Sequence, residues 1–398
     1  MKSLKNYSIE NKRVLFRADL NVPLLNGIVT DTSRIIAIKS SIQKLISNKN
    51  KIFLMAHFGR PNGEVDSKYS LSFILPSLKK IFDVNKIYFL KNLDQGSINK
   101  IIDEMKSGDL CLLENIRFQK EEERIDLGFA KKISNLFDVY VNDAFSASHR
   151  NHTSITGFPK FLPAVAGNHL VKEIYNINLF LKNSKKPNMA IVGGSKISTK
   201  IQLLNNLIEQ FSTIAIGGAM ANTFLLANKN NVGNSLVEKN LIQEAVNIQL
   251  KAKKLNCKLI LPVDVMCGKN IHDTNPAHRK IHEVLPEEMI LDIGDDSTQF
   301  INNKIINSKM ILWNGPVGAF EFKPYDKATN AIANVIKVNA KKLNINTLAG
   351  GGDTVSAIKN THAEDGFNYI SNAGGAFLEW LEGNESPGVK SLKENNLI

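Results

Sequence analysis

Cysteine is scarce in this chain. Cys111, Cys257 and Cys267 are the only three in 398 residues, widely spaced and without a CxxC pair, so neither a disulfide framework nor a thiolate metal site is written here. A reducing, cytoplasmic compartment is expected. Long apolar runs are missing too: nothing approaches the ~20 residues of a membrane span, and Met1 to Arg17 lacks the apolar stretch of a signal peptide. Heptads, short repeats and low-complexity tracts are absent. What remains is 43% hydrophobic and 22% charged, with 25 Gly and 12 Pro, a balance that excludes disorder, collagen and coiled coil. At roughly 100 to 200 residues per domain the length suggests two domains, and two domains can hold a cleft.

Arginine is the second scarcity. The formal charge is +12 and the pI about 9.3, which suits an anionic partner: nucleic acid, acidic membrane surface or phosphorylated metabolite. Yet the cations are 42 Lys against eight Arg, and seven of the eight lie in the first 150 residues, Arg279 being the exception. The lysines are spread along the chain among many Asn and Ile, as compositional bias would spread them. A retained Arg in such a chain points to a need for the planar fork that grips carboxylate or phosphate with two bonds. Arg34, Arg60, Arg117 and Arg150 are the residues to follow.

Short apolar runs recur: Val14 to Phe16, Lys51 to Ala56, Leu110 to Leu113, Val139 to Val141, Met189 to Val192, Thr213 to Ile216, Lys258 to Leu261, Lys309 to Trp313 and Asn346 to Leu348. Helical patterns separate most of them; Ile197, Ile201, Leu204, Ile208 and Phe211 form one apolar stripe. Alternating strands and helices imply parallel sheets covered by helices. Each early strand runs into chemically loaded residues: Asp19 and Asn21, His57 and Arg60, Arg117, then Asp143 leading to Arg150. Ligands of open α/β sheets bind beyond the carboxyl ends of strands, where these segments would sit. Gly167 to Leu181 reads as a helix, and the polar Lys182 to Pro187 after it marks a domain boundary.

Beyond that boundary the strand ends carry glycines instead: Gly193-Gly194-Ser195-Lys196, Gly217-Gly218-Ala219 and Gly350-Gly351-Gly352-Asp353-Thr354. Glycines before a helix let the backbone approach a phosphate, which then meets free N–H groups and the positive helix end. GxxxxGK[ST], GxGxxG and the HRD and DFG pair of protein kinases are all absent. Lys196 and Lys200 stand four apart, as anion ligands at a helix start or as solvated lysines. Asp353 suits either an N-cap or Mg²⁺ beside a nucleotide's phosphates. Trp313-Asn314-Gly315-Pro316 leads to Glu321, either a tight turn around a packed Trp or a turn whose carboxylate accepts from a ribose. His272, His278 and His282 match no structural-zinc spacing and read as a solvated loop.

Taken together these segments resemble phosphoglycerate kinase over nearly the whole chain. The carriers are RADLNVP (17 to 23), HFGRP (57 to 61), LLENIRF (112 to 118), VNDAF (141 to 145), HRNH (149 to 152), GGSKISTK (193 to 200), GGAMANTFL (217 to 225), LWNGPVGAFE (312 to 321) and GGGDT (350 to 354). The resemblance implies an α/β fold of two Rossmann-like three-layer domains with parallel sheets, joined by a hinge helix. Residues 1–168 would bind phosphoglycerate, 169–186 link, 187–380 bind nucleotide, and 381–398 pack back on the first domain. It implies the reversible reaction 1,3-bisphosphoglycerate + ADP ⇌ 3-phosphoglycerate + ATP with Mg²⁺, in a cytoplasmic monomer that closes about its hinge.

By that resemblance Asp19, Asn21, Arg34, His57, Arg60, Arg117 and Arg150 hold the three-carbon acid. The nucleotide falls to Gly193, Ser195, Lys200, Gly217, Gly218, Asn314, Pro316, Glu321, Gly351, Gly352, Asp353 and Thr354, with Asp353 on the metal. Arg34, Lys196, Lys200, Gly351 and Gly352 would meet the phosphoryl group in flight. Both possible nucleophiles, a carboxylate and a β-phosphate oxygen, are already ionised, so no general base is needed. Phe58, Ala219 and Ala373 depart from the common pattern; Ala219 adds a methyl group beside the expected adenine pocket. A nucleic-acid binder would instead need a continuous basic face with interleaved aromatics, whereas these arginines sit singly beside Asp, Asn and His. Another phosphotransferase on a similar scaffold would be told apart by its acceptor.

Overall fold

The computed structural model describes residues 1–397, which divide into two units: Met1–Tyr175 with the segment from Glu385 onward, and Asn176–Asn384. Each is built on a six-stranded parallel sheet. The central strands are apolar on both faces because helices cover both, as in Leu110–Leu113 and Asn188–Val192, which are buried throughout.

In the first unit the strands lie in the order Ile87–Leu90, Leu110–Leu113, Lys51–Met55, Arg13–Arg17, Val139–Asn142, Ala164–Ala166. Arg13–Arg17 pairs with Lys51–Met55 on one side and Val139–Asn142 on the other, Arg17 standing opposite both Met55 and Asn142. The winding reverses at this strand. Segments 18–23, 56–61 and 143–150 therefore leave the sheet together at its carboxyl edge, the place an α/β sheet offers a ligand. The segment from Glu385 belongs to this unit: the Asn395 side chain donates to the carbonyls of Pro159 (2.6 Å) and Leu162 (2.9 Å), and Gly388 N donates to Ser148 O at 2.9 Å.

In the second unit the order is Lys258–Ile260, Thr213–Ile216, Asn188–Val192, Met310–Asn314, Asn346–Gly350, Tyr369–Ser371. By order in the chain this is 3-2-1-4-5-6, the doubly wound arrangement whose ligand crevice opens between strands 1 and 4. Val192 stands opposite Asn314 there, so Gly193 and Gly315 meet at the switch point.

The parallel-sheet reading holds for both units, with local differences. Three edge strands, Ile87–Leu90, Ala164–Ala166 and Tyr369–Ser371, were not among the predicted runs. An antiparallel sheet of Ala277–Lys280, Asp264–Gly268 and Met289–Ile293 was also unforeseen. His278 is not in a loop but on that sheet, its Nε2 2.7 Å from the buried Asp264. The helix expected from Ile197 runs over Ile201–Gln210 with Lys200 as its N-cap residue, so Lys196 lies outside it, exposed and in no regular structure. The boundary helix covers Asn168–Lys182.

Candidate active site

In the first unit a cluster of cations gathers at the carboxyl edge around one carboxylate. Asp19 receives an ion pair from Arg34 and a hydrogen bond from Ser146, and its Oδ1 accepts from Asn21 N at 3.0 Å. Burial opposes its ionisation, but Arg34, the His57 ring and the Ser146 hydroxyl overcome that and hold it well below the usual carboxylate range. Asn21 turns its own Oδ1 to Gly59 N at 3.1 Å, tying the first loop to the second. Asn115 does the same for the next pair: its Nδ2 donates to Phe58 O (2.7 Å) and Tyr69 O (3.0 Å) while its Oδ1 accepts from Arg117 N (3.1 Å).

Arg117 is buried, with Nη1 donating to Gly59 O at 2.6 Å. Its Nε lies 3.3 Å from Glu123 without hydrogen-bond geometry. Arg150 is pushed below its usual range by burial first and then by the charges of Arg60 and Arg17, with Asp19 opposing. Arg60 itself is exposed. His57 is pushed down to about 3, by burial first and then by Arg17, so its ring is neutral at pH 7. Cations crowded closely enough to push Arg150 and His57 down form a standing demand for a small polyanion.

Three further residues of this edge lie outside the predicted site. Arg17, inside an apolar run, is 1% exposed and contacts His57. Asp143 accepts from Ser41 Oγ (2.6 Å) and Leu170 N (2.9 Å), anchoring the start of the helix Asn168–Lys182. His169, on that first turn, is pushed down to about 4, by burial chiefly, with Asp19 opposing and Arg34 assisting. Arg17 carried a signal, since it is one of the eight scarce arginines, and Asp143 stands at a strand end. His169 carried none.

The second unit builds its crevice from backbone. A Cβ on Gly193 would lie 1.9 Å from Pro316 O, and one on Gly217 2.6 Å from Val317 Cβ. These two glycines let the strand ends close on each other and do not line the cavity; Gly194, Ser195 and Gly218 do. Gly218 (φ +66°) and Gly351 (φ +101°) occupy the left-handed region that glycine alone enters freely. A Cβ on Gly352 would meet nothing within 4 Å, so that side of the helix start is open.

The cavity is about 320 Å³, with Ser195, Glu321 and Asp353 as polar groups, Pro316 and Ala319 in its wall, and Leu236, Ile271, Met289 and Leu291 making an apolar end. Beside it Lys200 Nζ donates to Asn314 Oδ1, and Asn314 Nδ2 donates to Gly350 O at 2.7 Å. Burial pushes Lys200 down to about 8, with Glu382 and Asp353 opposing. Thr354 Oγ1 accepts from Gly315 N at 2.7 Å, locking two turns together. Asp353 is in the first turn of the helix Gly352–Asn360 and makes no capping bond; Gly351 is the N-cap residue. Among the described residues no three His, Cys, Asp or Glu side chains gather as a metal cage. A lone carboxylate beside an open glycine corner suits Mg²⁺, which binds one or two carboxylates together with substrate phosphates.

Basic residues thus gather at one switch point, and a glycine-lined crevice opens at another. The family described as phosphoglycerate kinase matches residues 4–384. The chain belongs to the phosphoglycerate kinase family. Phosphoglycerate kinases of Brucella melitensis and Rhodospirillum centenum are 43% identical over 394 residues and 40% over 393, covering 99% and 98% of this chain and 99% of each relative. Among solved structures, the phosphoglycerate kinase of Coxiella burnetii matches with TM-score 0.85 and 35% identity over 98% of both chains. That of Pyrococcus horikoshii matches with TM-score 0.84 and 25% identity over 99% of this chain and 98% of its own. Glycolytic phosphoryl transfer onto a carboxyl acceptor is the general function of phosphoglycerate kinases. Among the described residues no helix is long and apolar enough to cross a membrane.

Proposed function

We propose that the first unit holds 3-phosphoglycerate or 1,3-bisphosphoglycerate, the second Mg-ADP or Mg-ATP, and that phosphoryl transfer follows when the two ligands are brought together. The observation that carries this reading is the gathering of arginines and His57 about the carboxylate of Asp19, where, after burial, Arg60 and Arg17 push Arg150 down and Arg17 pushes His57 down. Arg34, Arg60, Arg117 and Arg150 neutralise the acid's phosphate and carboxylate, with Asp19, Asn21 and neutral His57 orienting it. In the second unit Gly194, Ser195, Gly218 and the free N–H groups of Gly351 and Gly352 meet the nucleotide's phosphates. The apolar end takes the base, and Glu321 accepts from the ribose. Asp353 is the residue that would hold Mg²⁺, which when bound neutralises charge on those phosphates.

In the ATP-forming direction a β-phosphate oxygen of ADP attacks the acyl phosphate; the bond from phosphorus to the carboxyl oxygen breaks, and 3-phosphoglycerate leaves as a carboxylate. No proton moves, which agrees with a site that offers cations and no base. Lys200, Arg34 and Lys196 are assigned to the equatorial oxygens in flight, where positioning and charge supply most of the catalysis. The chain passes between the units at Tyr175–Asn176 and Asn384–Glu385, and we assign the hinge to these two crossings. A cytoplasmic monomer completes the reading.

Coupled turnover tests it. With 3-phosphoglycerate and Mg-ATP supplied, and product reduction followed as NADH loss, turnover should require both substrates and Mg²⁺ and collapse in Arg34→Ala. A folded protein that binds ATP but does not turn over would overturn the acceptor assignment.

A further inference from the structure

Behind the cation cluster lies a chain of buried polar groups to which the transfer itself assigns no part. Arg17 Nε donates to Ser154 Oγ at 2.9 Å, and Ser154 Oγ donates to Glu122 Oε1 at 2.6 Å. Glu122 Oε2 accepts from Ser154 N at 2.8 Å. Glu122 and Ser154 are wholly buried, and Glu122 stays ionised against its burial because His152, Arg17 and Ser154 favour the charge. At the other end Arg17 Nη1 donates to Ala18 O at 2.5 Å, and Nη2 lies 3.3 Å from His57 Nδ1.

A guanidinium has only donors. The His57 nitrogen facing it must therefore be the acceptor, and in a neutral ring the proton then sits on Nε2. Nothing in a buried pair of Glu and Arg fixed through one hydroxyl is needed for stability alone, since an apolar replacement of such a pair is often neutral or stabilising. A geometric use explains it better: the hydroxyl sets the plane of the guanidinium, and that plane selects the tautomer of the imidazole.

We propose that Glu122 and Ser154 are positioning residues that, through Arg17, hold His57 as a neutral Nε2–H donor for an anionic oxygen of the three-carbon acid. The substrate half of that statement rests on the function proposed above; the tautomer half does not. The test is nitrogen NMR of the full-length protein with ¹⁵N-labelled histidine, His57 being identified by loss of its signals in His57→Gln. In the free protein at pH 7 the expected pattern is a pyridine-like Nδ1 and a pyrrole-like Nε2. Ser154→Ala, and independently Glu122→Gln, should replace it by averaged signals of mixed tautomers. Each should raise the KM for 3-phosphoglycerate roughly three- to tenfold, the worth of one oriented hydrogen bond, with little change in kcat or in the KM for ATP.

A protonated Nδ1 or an imidazolium in the wild type overturns the proposal without recourse to any variant, and so does an unchanged pattern in folded Ser154→Ala and Glu122→Gln. If the wild-type pattern is as expected but 3-phosphoglycerate leaves the Nε2 signal where it was, the positioning of His57 stands and the substrate assignment falls.

Discussion

Under the proposed function the two units solve the same problem, holding a phosphorylated ligand, by opposite means. The first spends side chains: Asp19, Arg34, Arg60, Arg117 and Arg150 present charge, and Asn21, Asn115 and Asp143 tie down the loops that carry it. The second spends backbone, with Gly193, Gly217 and Gly315 letting strand ends close within contact distance so that Gly194 and Gly218 line a crevice. The lesson is that charge placed on side chains must be restrained by other side chains, whereas charge met by the backbone needs only that nothing stand in the way. The first arrangement should fail by loss of chemistry with the fold intact, the second by loss of fold.

The largest effect tests the first half of that contrast. Arg34→Ala should lower kcat by roughly 10³ to 10⁵, with urea melts within about 1 kcal/mol of wild type; near wild-type turnover would remove Arg34 from the mechanism. Lys200→Ala should behave alike despite lying in the backbone-built unit, because its half-buried ammonium stands beside the cavity on Asn314.

The glycines sharpen the second half. Gly193→Ala places a methyl group 1.9 Å from Pro316 O and should cost about 3 kcal/mol or more in urea unfolding. Gly352→Ala, with open space around it, should leave stability within about 1 kcal/mol and raise the KM for ATP about tenfold by crowding a phosphate. Equal stability of the two variants would break the distinction between packing glycines and ligand-facing ones.

A smaller effect follows from Asp143. Burial pushes its carboxyl up to about 7, above the ~3.9 of an unfolded chain, so the folded state holds a proton that the unfolded state has released. Its contribution is complete in acid and is lost as pH rises through about 7. In urea unfolding this group makes stability fall between about pH 4 and 7, while the depressed His57 and His169 raise it up to about pH 6.5. In Asp143→Asn, whose amide can donate to Ser41 Oγ as the protonated acid would, that fall should shrink by roughly 1 to 3 kcal/mol. Asp292, pushed up to about 8 by burial, acts in the same direction and keeps the variant's profile from becoming flat. The smallest effect is expected from Ala219→Gly at the cavity wall: a change in nucleotide affinity below about threefold.

Much of this was legible in the residues because it is local. A buried parallel strand announces itself as a short apolar run, and the loops after such strands carry the ligand chemistry; Leu110–Leu113 and Thr213–Ile216 fall where the runs placed them. The Gly-rich turns were equally plain, although sequence does not separate Gly193, which packs, from Gly194, which faces the cavity. Lys196 misled because a four-residue spacing looks helical whether or not the helix has begun. The antiparallel sheet was hidden by composition, since a strand reading AHRK has no apolar run to find. Least legible was the support beneath the cations: Ser154 lies 137 positions from the Arg17 it orients, and only folding reveals such a partner.

The return of the chain at Glu385 reaches into biosynthesis. A ribosome delivers Asn176–Asn384 as one uninterrupted stretch, so the second unit has all its parts before the first has all of its own. The first unit is completed later: Ser148, Pro159 and Leu162 await Gly388 and Asn395, which follow the whole of the second unit. The order of completion on the ribosome is thus the reverse of the order in which the two units begin, and the half that started first is sealed by residues that follow Asn384.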